Sequence, residues 1–308
     1  MNPIKIGLIG IGKIARDQHV PVIAANNNFE LIAAASPHHQ LEGVRNYPNI
    51  DALLEGSPEI DAIAVCTTPQ VRYQIARRAL ERGCHVLLEK PPGVTLNEVN
   101  ALIALARQRG VTLFATWHSR EASGVAPARS WLAQRRIRSV KVEWKEDVRV
   151  WHPGQAWIWE AGGLGVFDPG INALSILTSI LPGTLVMEDA ELSVPMNCQT
   201  PIAAKLQLAN EFGAAVSMEL DFLEPGEHRW NIDVETDDGH LQLSKGGAVL
   251  RINGTTTVST NDVEYQNLYA QFARLVADRR IDVDIAPFTL VADAFLCGRR
   301  VEVAPFIE

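Results

Sequence analysis

Three groups of residues have types and spacing suited to chemistry. The first is Gly10-Ile11-Gly12-Lys13-Ile14-Ala15, a Gly-x-Gly-x-x-Ala string that directly follows the apolar run Ile4–Gly10. Gly10 permits a tight turn, Gly12 lets the backbone approach a pyrophosphate, and Ala15 is small enough for a helix to pack closely on a strand. The N–H groups that open that helix would face the anion. Glycine strings alone are common, but this one follows a strand, opens a helix and begins a β-α-β unit, the context that dinucleotide binding requires. Gly10, Gly12, Lys13 and Ile14 are therefore the expected cradle.

The second group is Glu89-Lys90-Pro91-Pro92, at the end of another apolar run. In an open parallel sheet, ligands sit beyond the carboxyl ends of the strands. That rule directs Lys90 toward the place of a nicotinamide and puts Glu89 and Thr67, which ends a further run, in the same cofactor cleft. Lys90 could equally be a solvated lysine at a strand end. The paired prolines stiffen the turn and allow a cis bond. The third group is Asp168 and Asn172, four apart and so on one face of a helix. Asp168-Pro169 also fits a helix N-cap followed by proline at the first helical position, so a purely structural role stands beside the chemical one.

Choice of cofactor turns on the end of the second strand. An Asp or Glu about 20 residues past the glycines usually holds the adenosine ribose. Here Ser36, 26 residues after Gly10, occupies that place and is followed by Pro37-His38-His39. Without a carboxylate a 2′-phosphate is not repelled, and Ser36 with His38 is the expected contact; alternatively Ser36 merely ends the strand. NADP is the expected cofactor, with NAD also usable.

These groups need elements to hold them. Near-continuous apolar runs at Ile4–Gly10, Glu30–Ser36, Asp61–Thr67, His85–Glu89 and Thr112–Trp117 read as strands covered on both faces. Helical stretches lie between them at 12–26, 70–82 and 96–109. Strands alternating with helices imply a doubly wound parallel α/β sheet of the Rossmann type. From about Ser139 the pattern changes to strict alternation, at Val140–Val150, Leu185–Val194, Ala203–Leu208, Ala214–Phe222 and Trp230–Glu235, with turns at Asp237-Asp238-Gly239 and Asn253-Gly254. Helices are expected at Asp168–Ile180, Tyr265–Asp278 and Pro287–Val301. The second part thus reads as an α+β domain with a large, mostly antiparallel open sheet. The expected boundary gives a dinucleotide-binding domain over 1–118 and a substrate-binding and oligomerisation domain over 119–308.

Composition narrows the partners. The 308 residues are 47% hydrophobic and 21% charged, with 28 Lys plus Arg against 36 Asp plus Glu and a net charge of −8. An acidic chain without a basic patch is a poor nucleic-acid binder. No apolar stretch approaches the ~18 residues of a membrane span, and the first residues lack the layout of a signal peptide, so a cytoplasmic protein is expected. Cys66, Cys84, Cys198 and Cys297 show no metal-site spacing, so no metal is expected. An open sheet commonly has its exposed face covered, which makes a homo-oligomer, first a dimer, the expected state.

The glycine string at the start, Glu89-Lys90-Pro91 after a later strand and the sheet-rich second half resemble the Gfo/Idh/MocA family of sugar-linked oxidoreductases over essentially the whole chain. Trp144-Lys145-Glu146-Asp147-Val148, Trp151-His152-Pro153-Gly154 and Phe167-Asp168-Pro169-Gly170-Ile171-Asn172 are similar to the family's aldose 1-dehydrogenases acting on D-galactose and L-arabinose. The resemblance implies oxidation of a pyranose at its anomeric carbon to the lactone, with hydride passing to NAD(P). It makes Lys90, Asp168 and Asn172 catalytic. Asn172 stands where most of the family has a histidine, and asparagine cannot take a proton, so the mechanism is altered. His118, Glu146 and His152 join Lys90, Asp168 and Asn172 as expected substrate contacts, while Trp151, Trp157 and Trp159 offer stacking faces or simply pack. A relative of Ser36 in the arabinose enzymes is followed by arginine; Pro37 removes that charge, and His38 and His39 replace it in part, so the NADP preference is expected to be modest and to strengthen as pH falls toward 6. A cofactor-binding sensor without turnover, or oxidation at another hydroxyl, are the alternatives.

Overall fold

The computed structural model describes residues 2–260 and 263–308. The chain divides into two compact units, one formed by the residues up to Trp117 with Tyr265–Ile285, the other by His118–Glu264 with Ala286–Glu308.

The first unit is built on six parallel strands, β1 (Ile4–Ile9), β2 (Phe29–Ala35), β3 (Arg45–Tyr47), β4 (Ala62–Val65), β5 (His85–Leu88) and β6 (Leu113–Ala115). Their order is β3-β2-β1-β4-β5-β6. That is the doubly wound order, with the direction of winding reversing at β1. Central strands are apolar on both sides because both faces are covered: Ala62, Ile63, Ala64 and Val65 are each fully buried. One face packs Ile63, Val65, Leu80 and Leu102 together. The other packs Ile6, Leu8 and Phe29 against Tyr269 and Phe272.

Four helices precede Leu113: α1 (Val20–Ala24), α2 (Ile50–Gly56), α3 (Pro69–Glu81) and α4 (Leu96–Arg109). Local chemistry fixes their ends. Asn49 accepts the Ala52 N–H at the start of α2, and Thr95 accepts the Glu98 N–H at the start of α4. The single long helix expected over 12–26 is instead a π-helical turn, Ala15–His19, leading into α1. β3 and α2 carry too short an apolar pattern to be read from sequence.

The second unit carries a nine-stranded sheet. Its strands are β7 (Ile137–Lys145), β8 (Leu185–Pro195), β9 (Ala203–Asn210), β10 (Ala215–Asp221), β11 (Arg229–Thr236), β12 (His240–Ser244), β13 (Val249–Ile252), β14 (Thr255–Ser259) and β15 (Arg299–Val303). The order is β14-β13-β12-β11-β7-β10-β9-β8-β15, antiparallel except for the β10–β7 and β15–β8 pairs. Both expected turns join neighbouring strands. Asn253 and Gly254 hold φ of 49° and 79°, the pair of left-handed residues a two-residue hairpin needs. Helices α5 (Val125–Leu132), α6 (Val148–Trp151), α7 (Phe167–Ile180) and α9 (Ala286–Cys297) belong to this unit.

Three expectations are corrected. The boundary is not one cut near 118, because α8 (Glu264–Asp278) places Tyr265, Leu268, Tyr269 and Phe272 in the core of the first unit. Their spacing makes one apolar stripe, and a stripe packs wherever an apolar surface lies open to it, whatever its place in the chain. The helix expected over Pro287–Val301 stops at Cys297; beyond Gly298, Arg299–Val303 alternates and pairs with β8. Strand β7 ends at Lys145, and Asp147 caps α6 through the Arg149 N–H at 2.9 Å. At the centre of the sheet, Lys145 pairs with Glu219 at 2.6 Å and Lys141 with Glu143 at 3.4 Å. Among the described residues no helix is long and apolar enough to cross a membrane.

Candidate active site

In the first unit the glycine string ends β1 at the reversal of winding. Gly10 holds φ +90°, and a Cβ there would lie 2.9 Å from the Thr67 nitrogen. Only glycine fits both the left-handed backbone and that approach. At Gly12 no atom lies within 4 Å of where a Cβ would stand, so its backbone borders open space. Thr67 Oγ1 is buried without a hydrogen-bond partner, a polar atom left for a ligand to satisfy. An open glycine and an orphaned hydroxyl at the end of the central strands fit the phosphates of a dinucleotide.

The other expected cofactor residues are placed unevenly. Ser36 Oγ accepts the N–H groups of His38 and His39 at 3.4 and 3.3 Å, which leaves its own hydrogen to donate. Lys13 is exposed and paired with Asp17 one turn along the helix, a pair a phosphate would have to displace. Ile14 is partly buried, with its side chain packed on the apolar core. Glu89 is corrected: it was expected to line the cleft, but it is 4% exposed, and its carboxylate accepts from the Tyr265 hydroxyl at 2.8 Å and lies 2.9 Å from His19 Nε2. An ionised carboxylate in an apolar core must find such donors.

Lys90 follows as the first residue beyond β5 and precedes a cis peptide bond to Pro91. Its N–H donates to Glu89 Oε2 at 3.0 Å. Arg72, on α3 and 3% exposed, donates to the Glu89 carbonyl at 2.7 Å and also to the carbonyls of Pro91 and Thr67. The backbone on both sides of Lys90 is therefore fixed by buried side chains.

In the second unit, three expected substrate residues come together. Glu146 lies one residue beyond β7 and Asp168 in the first turn of α7, each 3% exposed. His152, just past α6, stands between them with Nε2 3.6 Å from Glu146 Oε1 and 3.7 Å from Asp168 Oδ2. Both spacings are too long for a direct hydrogen bond and suit a bridging hydroxyl. Asp168 is not the cap of α7. The helix begins at Phe167 with Val166 before it, so the carboxylate is left to face His152. Pro169 falls in the first turn, where its missing N–H costs nothing. Asn172 follows one turn later and is partly exposed.

Aromatic residues flank this cluster. Trp230 on β11, opposite Trp144 in register, donates its indole N–H to Glu146 Oε2 at 2.8 Å. Its ring lies 5.0 Å from that of Trp151 and 3.9 Å from that of His228. Trp159 packs between Phe222 and Phe306, and Trp157 donates its indole N–H to Gln155. His118 is engaged by Glu264 and Ser119 rather than by the Glu146 cluster. Trp230 and His228 were missed, since strand alternation shows which face a residue takes but not which residue of another strand it meets. His19, Arg72 and Tyr265 carried no motif.

A six-stranded sheet in dinucleotide-binding order, with its glycine turn and a lysine at a strand end, joined in one chain to a large open sheet, defines an oxidoreductase that binds a nicotinamide cofactor. The chain belongs to the Gfo/Idh/MocA family: residues 4–116 match the model described as an oxidoreductase family with an NAD-binding Rossmann fold, and a curated relative matches end to end. That relative, galactose 1-dehydrogenase of Pseudomonas fluorescens, is 46% identical over 308 residues, all of both chains. The crystal structure of a D-galactose-1-dehydrogenase protein from Rhizobium etli superposes with a TM-score of 0.96 at 50% identity, covering 100% of this chain and 99% of that one. A 3-ketoreductase from Actinomadura kijaniata, crystallised with NADP and TDP-benzene, shares the fold with a TM-score of 0.86 at 20% identity over 98% of this chain and all of that one.

Proposed function

We propose that this protein oxidises an aldopyranose, D-galactose or L-arabinose or both, at the anomeric carbon to the lactone. What carries the reading is Glu146, His152 and Asp168 gathered beside the Trp151–Trp230 indoles, in a chain alike along its whole length to a galactose 1-dehydrogenase. A pyranose presents hydroxyls on its rim and C–H groups on its faces. Two carboxylates and an imidazole suit the first, and indole faces suit the second. L-Arabinopyranose has the galactopyranose ring configuration without the hydroxymethyl group, so one pocket can serve both.

The bound nicotinamide supplies the hydride acceptor. The chain supplies the base and the orientation. Asp168 and Lys90, the latter when neutral, are the groups we assign to the anomeric hydroxyl proton, directly or through water, and the amide of Asn172 orients that hydroxyl. The anomeric hydroxyl is more acidic than an ordinary alcohol, so a weak base is enough. Glu146 and His152 read the remaining hydroxyls. NADP and NAD are both accepted, with a modest preference for NADP.

Following nicotinamide reduction at 340 nm with a panel of aldoses and each cofactor tests the reading. Galactose and arabinose are expected to give turnover and a lactone product; no reduction with any aldose contradicts it. A finer prediction concerns the indole N–H on Glu146. Trp230→Phe keeps a ring but leaves a buried carboxylate one donor short, so the KM for sugar is expected to rise about tenfold while the KM for cofactor stays put. An unchanged sugar KM removes Trp230 from substrate recognition.

A further inference from the structure

Behind Lys90 lies a buried polar network that the proposed chemistry does not itself use. His19 is completely buried, at the end of the π-helical turn Ala15–His19. π-Turns are uncommon and frequent at functional sites. Here the turn buries an imidazole against the rings of Tyr265 and Tyr269. Its Nε2 lies 2.9 Å from Glu89 Oε1 and its Nδ1 2.8 Å from the Tyr269 hydroxyl. Glu89 Oε1 also accepts from Tyr265, while Oε2 accepts the main-chain N–H of Lys90. If the network served packing alone, apolar residues of similar volume would fill the same space at little or no cost in stability. This network ends on the peptide of Lys90, the residue assigned above to the anomeric proton.

We propose that His19 is a positioning residue for Lys90, acting through Glu89. Donation from Nε2 keeps the Glu89 carboxylate turned so that Oε2 holds the Lys90 N–H, while Arg72 holds the carbonyls on either side. The inference rests on the role assigned to Lys90 above. The groups facing His19 are Glu89 beyond β5, Tyr265 and Tyr269 on α8 and Cys66 beyond β4. Burial works against charge on the ring, and Cys66, Tyr269 and Glu89 outweigh it, raising the pKa of His19 well above its ordinary value. A raised histidine pKa stabilises the fold fully below the unfolded value near ~6.5 and loses that contribution as pH rises through the folded value. The melting temperature should therefore fall on the alkaline side, and less steeply in His19→Gln.

The test uses the full chain with His19→Leu, His19→Gln and Tyr269→Phe. In His19→Leu, kcat is expected to fall about tenfold, with the dissociation constant of NADP, read by protein fluorescence, within about twofold of the parent. His19→Gln can donate to Glu89 and accept from Tyr269, so it should restore kcat to within about threefold. Tyr269→Phe should lower kcat in the same sense by a smaller factor. A second readout needs no turnover: after reductive 13C-methylation, the Lys90 resonance, identified by its loss in Lys90→Arg, should move in His19→Leu while other lysine resonances stay. Should the parent fail to oxidise any aldose, the functional reading falls and the Lys90 resonance still decides this inference. An unmoved Lys90 resonance in all three variants overturns it. So does a folded His19→Leu protein with parental kcat, or one that loses kcat and cofactor affinity together. If His19→Leu does not fold, His19→Gln and Tyr269→Phe carry the same comparisons.

Discussion

Replacing Lys90 by alanine is expected to lower kcat for aldose oxidation by about 10²–10⁴, the usual worth of a positioned acid or base, with NADP affinity retained. Asp168→Ala should fall in the same range. The two side chains belong to different units of the chain and reach their places by different means. The peptide of Lys90 is clamped by Glu89 and Arg72, so the side chain leaves the end of β5 from a fixed root. Asp168 is buried in the first turn of α7 with its carboxylate toward His152. Single-turnover mixing separates chemistry from product release, and the fall should appear in the chemical step. Asn172→Ala should slow the same step without abolishing it, since an amide orients the hydroxyl but takes no proton. Near-parental turnover in both Lys90→Ala and Asp168→Ala would remove these residues from the chemistry.

The second large effect is expected at Ser36. Ser36→Asp places a carboxylate where the 2′-phosphate of NADP is to lie, and the KM for NADP should rise roughly 10–100-fold, about 1.4–2.7 kcal/mol. The KM for NAD should change little or fall, because a carboxylate can accept from the ribose diol. The local geometry favours a clean result. Ser36 Oγ caps the turn by accepting the N–H groups of His38 and His39, and aspartate offers oxygens in much the same place, so the turn should survive. Steady-state kinetics with both cofactors at fixed sugar check it. Equal changes for NAD and NADP would show that position 36 does not face the ribose.

Part of the candidate site was legible in the pattern of residues. Gly10, Gly12 and Lys90 were legible because the backbone chemistry they serve is local: a left-handed turn, an open approach, a strand end. Asp168 and Asn172 were legible as a pair because four residues is one helical turn. Glu89 was misplaced for the converse reason. Its position at a strand end says nothing of which way its side chain turns, and only the tyrosines of α8 and the imidazole of His19 make burial of that carboxylate possible. Trp230 escaped notice because its contact with Glu146 joins residues 84 positions apart.

The sequence by itself determined the doubly wound sheet, the antiparallel character of the second domain and the glycine cradle. Each follows from periodicity or from steric limits within a few residues, so no distant part of the chain is needed to decide it. Tertiary structure alone decided that α8 completes the first domain's core. An amphipathic stripe specifies an apolar partner without specifying which. The same limit holds for Glu146 between Trp230 and His152, and for His19 behind Lys90. Burial of a charge is tolerable only where donors from other elements converge on it. Such convergence is a property of the packed chain and is written in no single segment.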